Sequence, residues 1–94
     1  MVEVIWTLLA KKDLKQIHKY ISFDSVQYAN RLILKLMARV EILEKLPYSG
    51  KIVREKNDET IRELVQGNYR IFYKIIDKDT IHILRVYRSS MNIK

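Results

Sequence analysis

The stretch IRELVQGNYRIFYKI, residues 61–75, decides the fold. Branched and aromatic residues alternate with polar ones on both sides of Gln66-Gly67-Asn68, the pattern of a β-hairpin. In its second arm Tyr69, Ile71, Tyr73 and Ile75 point to one face, and Arg70, Phe72, Lys74 and Ile76 to the other. An apolar sheet face needs a covering layer, and helices in a two-layer domain cover only one side. The side with Arg70 and Lys74 is therefore expected to stay open. Arg62 stands eight residues before Arg70. The pair raises the question of a solvated strand face against a surface shaped for an anion.

Upstream, VEVIWT (2–7) alternates as a short first strand, with Thr7 placed to cap a helix directly after it. Ala10, Leu14, Ile17 and Ile21 recur at helical spacing while Lys11, Lys12, Lys15 and Lys19 point away, which predicts an amphipathic helix to about Ser22. Asp24 with Gln27 resembles a capping box and opens a second helix to about Leu46. Its core stripe is Ala29, Leu32, Ile33, Leu36, Val40 and Leu43. Leu34, Ala38 and Ile42 fall on nearly the opposite side. A helix hairpin offers them a neighbour at once, so packing on the first helix is the expectation and a partner surface the alternative. PYSG (47–50) turns the chain, and the polar segment Lys51 to Glu59 reads as an edge strand running into a loop. After the hairpin, Asp77-Lys78-Asp79 forms a second turn and Thr80 to Arg88 the last strand. The result is one α+β domain over residues 1–94, in the order β-α-α-β-β-β. A helical hairpin covers one face of a mainly antiparallel four-stranded sheet. Ala10, Leu14, Ile17, Ile21, Leu32, Leu36, Val40, Ile71 and Tyr73 are expected to be buried.

Composition bounds the function. Hydrophobic residues at 48% and charged residues at 31% describe an ordinary globular chain, and with no cysteine there is neither a disulfide framework nor a thiolate metal site. No basic n-region leads into an apolar run, and no apolar stretch approaches a membrane span, so a soluble cytoplasmic protein is expected. Eighteen Lys and Arg against eleven Asp and Glu give a net charge of +7. That excess favours polyanionic or acidic partners. It is sharpest from Ile81 to Lys94, where Arg85, Arg88 and Lys94 meet no acid.

Most chemistries are excluded by residue type. His18 and His82 lack companions for a metal, no glycine-rich phosphate loop exists, and no serine stands in a triad motif, so neither metal nor cofactor is expected. One metal-free reaction fits. RNA is cut by its own 2′-hydroxyl when a base takes that proton and cations stabilise the phosphate. Glu55 or Tyr87 would be the base and Arg62 with Arg70 the clamp. Strict alternation turns His82 away from Arg85 and Tyr87, which leaves no general acid. The alternative is a binding surface on adjacent strands formed by Arg62, Arg70, Lys74, Arg85 and Arg88, with Leu34, Ala38 and Ile42 as a second patch.

Several segments occur in order and at fitting spacings: Ala10-x-x-Asp13-Leu14-x-x-Ile17-x-x-Tyr20-Ile21, Leu46-Pro47-x-x-Gly50, Val53-Arg54-Glu55, Arg62-Glu63-Leu64 and Tyr69-Arg70-Ile71-x-Tyr73. Together they resemble the RelE/ParE toxin superfamily over nearly the whole chain. The resemblance implies the toxin of a type II toxin–antitoxin, or plasmid stabilisation, system, neutralised by a cognate antitoxin. It also implies one of two mechanisms, ribosome-dependent mRNA cleavage for RelE-like members or inhibition of DNA gyrase for ParE-like ones. Arg70 matches an arginine that the ribonucleases use on the scissile phosphate, and Glu55 matches a position where some carry a catalytic glutamate. Arg62-Glu63, however, puts an acid in the strand that holds catalytic lysines in RelE, and Tyr87-Arg88 does not reproduce the C-terminal tyrosine or His-Tyr pair of the ribonucleases. These departures favour the ParE-like branch. A non-toxic module that binds nucleic acid or protein through the same sheet is the third alternative.

Overall fold

The computed structural model describes residues 1–89. The chain runs through β1 (Glu3–Trp6), α1 (Leu8–Ser22), α2 (Val26–Glu41), β2 (Lys51–Ile52), β3 (Ile61–Gln66), β4 (Tyr69–Asp77) and β5 (Thr80–Arg88). Single 3-10 turns occupy Ile42–Glu44 and Arg54–Lys56. The expected architecture holds, with helices on one face of a sheet, but the sheet is five-stranded and mixed, in the order β1-β5-β4-β3-β2. The fifth strand is β2, all that forms of the expected edge strand: two residues pair with β3 before the chain enters the 3-10 turn. β1 runs parallel to β5, while the other pairs are antiparallel.

Thr7 joins the first strand to the first helix. Its backbone N–H donates to the Ile83 carbonyl (3.1 Å), and its hydroxyl donates to the same oxygen (2.7 Å) while accepting from the Ala10 N–H (3.2 Å). The second helix starts one residue later than the sequence suggests. Ser25, not Asp24, accepts from the Tyr28 N–H at 3.0 Å, because Ser25 has the extended backbone a cap needs. Its α-helical part ends at Glu41, short of Leu46, and tightens into the 3-10 turn.

Ala10, Leu32, Leu36, Val40, Ile71 and Tyr73 lie in the core, with Leu43, Leu64, Ile75, Ile81, Ile83 and Val86. Leu14, Ile17 and Ile21 pack against this core but are only partly buried, since α1 lies toward the rim. Leu34 and Ile42 remain 66% and 39% exposed, and Ala38 is exposed as well, so this trio does not pack on α1. The helices meet along another line, marked at its exposed rim by His18 Nε2 and Asn30 Oδ1 at 2.7 Å.

The loop after α2 is stapled to the core by Tyr73. The phenol accepts from the Gly50 N–H (2.9 Å) and donates to the Pro47 carbonyl (2.8 Å). A Cβ on Gly50 would stand 2.7 Å from both the Glu63 carbonyl oxygen and the Tyr73 ring, so the close approach requires glycine.

Truncating Leu36 to Ala is expected to cost about 2–5 kcal/mol in urea melts. Tyr73→Phe strands the buried Gly50 donor and is expected to cost about 1–3 kcal/mol. Burial pushes the Tyr73 hydroxyl above its ordinary pKa despite the Gly50 N–H and nearby arginines. Its neutral form is therefore favoured by folding, and its contribution to stability is lost as pH rises from the unfolded tyrosine pKa through the raised native one. Melts above pH ~10 should show a shallower alkaline loss of stability in Tyr73→Phe than in wild type.

Candidate functional site

The register of the hairpin and of β5 sorts the basic residues onto different faces. β3 and β4 join through the two-residue turn Gly67-Asn68, with Gly67 at φ +59°, and Gln66 opposes Tyr69. This places Arg62 opposite Tyr73 and Val65 opposite Arg70. Directly opposed residues share a face, so Arg62 lies on the helix-covered side, away from Arg70. The two do not form a clamp. Arg62 instead donates to the carbonyls of Glu59 (3.2 Å), Tyr48 (3.3 Å) and Gly50 (3.1 Å) and stacks 5.0 Å over the Tyr48 ring. It fastens the loop that Tyr73 also holds.

A bulge in β5 makes the second correction. Phe72 opposes Arg85 and Tyr73 opposes Ile83, so Leu84 has no partner and the alternation slips by one. His82 then faces Lys74 and Tyr87 faces Arg70 on the open side, whereas Arg88 opposes Tyr69 on the covered side. His82 and Tyr87 thus share a face, contrary to strict alternation. Their partners stand four positions apart on β4, about 13 Å along the strand.

Arg85 sits at the sheet's edge. β1 stops opposite Ile83, and beyond it α1 supplies Asp13 in place of a strand. Its carboxylate accepts from the Val86 N–H (2.9 Å) and from both Nε (2.9 Å) and Nη2 (3.0 Å) of Arg85. The bond to Asp13 holds the Arg85 guanidinium above its ordinary pKa, and Arg85 also stacks 4.9 Å over Tyr87. Beyond β2, α2 acts similarly: Arg39 Nε donates to the Val65 carbonyl at 3.2 Å.

The open face therefore carries fewer available charges than the sequence suggests. Arg70 Nε bonds Glu63 Oε1 at 2.6 Å and stacks on Phe72 at 4.9 Å. The carboxylate raises the Arg70 pKa first through this bond, and Glu55 adds to the rise from its exposed 3-10 turn. Lys74 lies 3.8 Å from Asp58. Around these pairs the surface is apolar: Ile5, Val65 (51% exposed), Phe72, Ile76 (44% exposed) and Tyr87, with Phe72 and Tyr87 packed edge to face at 5.6 Å. Arg70 lies opposite Tyr87 and in the field of Glu55, and Arg85 stacks on the same Tyr87; Lys74 stands four positions further along β4, and Arg62 and Arg88 oppose residues of the covered face.

On the helix side two clefts of about 500 and 470 Å³ flank the tip of the helix hairpin. Tyr69 lines both. One is walled by Ile17, Tyr20, Val86 and Arg88, the other by Tyr28, Arg31, Lys35 and the β3–β4 turn. Burial pushes the Tyr69 phenol up, Arg88 pulls it down, and the hydroxyls of Tyr28 and Tyr20 add to the rise, which gathers all four groups in one neighbourhood. Sequence reasoning missed this tyrosine cluster, because Tyr20, Tyr28 and Tyr69 belong to three different elements. It also missed Asp13 as an anchor, although a lone acid in the lysine-rich helix α1 was the available signal.

Among the described residues no three His, Cys, Asp or Glu side chains gather as metal ligands, and no helix is long and apolar enough to cross a membrane. Lys94, expected in the basic C-terminal stretch, lies outside the described residues.

The family model for the ParE toxin of type II toxin–antitoxin systems (parDE) matches residues 4–93. The chain belongs to the ParE toxin family. This ParE-family toxin is also 34% identical over 87 residues to Toxin RelE2 of Caulobacter vibrioides, covering 92% of this chain and 93% of that one. Its fold is similar to that of the chromosomal ParDE toxin–antitoxin system of P. aeruginosa (TM-score 0.77, 21% identity, 94% and 96% of the two chains). It is also similar to the toxin–antitoxin complex RelBE2 of Mycobacterium tuberculosis (TM-score 0.61, 28% identity, 94% and 93%). The family is fixed by these matches, and relatives of both subtypes stand among them.

If Glu63 masks Arg70, Glu63→Gln should elute from heparin at higher salt than the exposed control Glu59→Gln, which changes charge equally. Adding Arg70→Gln should abolish that difference.

Proposed function

We propose that this toxin acts by binding DNA gyrase through the uncovered face of its sheet, and that it does not cut RNA. The carrying observation is the 2.6 Å bond between Arg70 and Glu63. A ribonuclease needs that guanidinium aimed at the phosphate as negative charge builds there. Here the arginine is committed to one carboxylate and lies in the field of a second, Glu55. One positive charge against two negative ones leaves the cluster at −1, which repels a phosphodiester. Arg62 faces the other way and Arg85, beside Tyr87, is held by Asp13, so neither compensates. The apolar surroundings instead suit a protein partner, where a few buried side chains carry most of the energy. Gyrase as that partner follows the ParE side of the sequence resemblance. The cognate antitoxin is assigned to the helix side, which carries the tyrosine clefts and the exposed stripe of Leu34, Ala38 and Ile42.

Ribosome-dependent mRNA cleavage is the competing function, and one arrangement favours it: Arg70, Tyr87 and Glu55 lie near one another on the open side. Two assays run in parallel separate the functions. The purified chain should inhibit gyrase supercoiling and leave mRNA on purified ribosomes intact. Val65→Asp with Ile76→Asp should weaken gyrase inhibition by about tenfold or more with little change in melting temperature, since both side chains are exposed. Arg70→Ala should change toxicity by well under the roughly hundredfold that loss of a transition-state donor costs. Codon-specific cuts with gyrase untouched would overturn this proposal.

A further inference from the structure

We propose that the outer face of α1 is a docking ridge for duplex DNA, on which Lys11, Lys12, Lys15 and Lys19 hold the phosphate backbone without reading its sequence. The inference goes beyond the protein target proposed above. The ridge points away from the open sheet face, so one molecule can engage a protein on one layer and DNA on the other.

The spacing of α1 builds the ridge. Ala10, Leu14, Ile17 and Ile21 turn toward the core. Lys12, Lys15 and Lys19 follow one another at i, i+3 and i+7 on the outer side, and Lys11 stands one turn before Lys15. Four ammonium groups thus share about 12 Å of helix axis. All four lysines are exposed, and none forms an ion pair among the described residues. Asp13, the one acid of the helix, is taken by Arg85 and the Val86 N–H. Across both helices and their connection, residues 8–41, seven basic residues meet three acids.

This arrangement works against the helix that carries it. Like charges four residues apart destabilise a helix, and Lys11–Lys15 and Lys15–Lys19 are both such pairs. The first turn, where the helix dipole favours acids, has none. A merely solvated helix face gains from opposite charges at that spacing, and α1 forgoes the gain. Departures from local preference of this kind concentrate where a surface is used.

Residue type selects the polyanion. A protein carboxylate is best met by the guanidinium fork, and lysine is depleted in protein interfaces. Lysine offers a flexible point charge instead, which suits a row of phosphates. Single strands are held by bases stacked on aromatic side chains. No Phe, Tyr or Trp stands between Lys11 and Lys19, and the His18 ring is engaged by Asn30. A lipid surface needs apolar side chains along the face that meets it. Here Leu8 and Phe23 are exposed only beyond the two ends of the lysine row (70% and 81%). A duplex backbone asks for cations alone.

The test follows binding of the full-length chain to a short fluorescent DNA duplex of mixed sequence, by anisotropy across a salt series. Each phosphate contact steepens the fall of log K with log salt by about 0.9. Combining Lys11→Gln, Lys12→Gln, Lys15→Gln and Lys19→Gln should weaken binding at low salt by about tenfold or more and reduce that slope by about three to four. The control combines Lys45→Gln, Lys51→Gln, Lys56→Gln and Lys78→Gln, exposed positions with the same total charge change. Its slope should change by less than about one. If the ridge variant does not fold, Lys12→Gln with Lys19→Gln should reduce the slope by about two. Equal losses in ridge and control variants would overturn the proposal. So would tighter binding of a single strand, of polyglutamate or of phosphatidylserine vesicles than of the duplex. Gyrase supercoiling is scored separately. Inhibition without ridge-dependent DNA binding removes the ridge and leaves the gyrase function standing. Ridge-dependent DNA binding without inhibition supports the ridge and removes the gyrase function.

Discussion

Asp13 joins the two layers of this molecule. A strand that outlasts its neighbour exposes backbone groups that need partners, and β5 continues past the end of β1 by several residues. One carboxylate from α1 answers the Val86 N–H and grips Arg85 with two further bonds. That fixes α1 against the end of β5 and sets one wall of the groove beside Tyr69. On the far side, where β2 is only two residues long, Arg39 of α2 reaches the Val65 carbonyl. Each helix thus finishes an edge of the sheet, and the positions of both helices follow from that need as much as from the apolar core between the layers.

The same accounting explains why a chain of net charge +7 does not present a basic sheet. A guanidinium offers donors in a fixed fork, and a carboxylate or a set of carbonyls that fills the fork takes it out of service. Three of the four arginines on β3, β4 and β5 that the sequence offers as anion binders are filled from within the molecule. Much of the remaining excess is on the helices, where Lys11, Lys12, Lys15, Lys19, Arg31 and Lys35 meet few acids. The unpaired positive charge lies mainly on the helix side, and the uncovered sheet presents apolar side chains around its ion pairs.

How far the sequence can be read depends on whether a feature is local. The Thr7 cap, the stripe from Ala29 to Leu43 and the alternation of β4 each follow from a few adjacent residues, and each is present in the structure. Faces of arginines depend on register, which is not local. An odd sum of paired positions across the Gly67-Asn68 turn sends Arg62 and Arg70 to opposite sides, and one unpaired residue, Leu84, reverses the side of Tyr87 and Arg88 relative to His82. Leu34, Ala38 and Ile42 depart from expectation for a different reason. Helical periodicity gives a residue's direction, but the line along which two helices touch depends on the crossing, and here it passes the trio by. The clefts around Tyr69 combine residues from both helices and two strands, so no contiguous motif announces them.

The seam between β1 and β5 has a consequence for how the chain is made. Thr7 bonds the Ile83 carbonyl across 76 positions, so the first strand of the sheet is joined to a segment synthesised much later. Contacts of such long range slow folding, because the loop between them must be closed before they contribute. The helix hairpin, whose contacts are local, can form while synthesis continues, but the strand order cannot be finished until β5 has emerged. A ribosome that stalls midway therefore releases no smaller working version of this protein. The sheet is complete only once β5 has been translated.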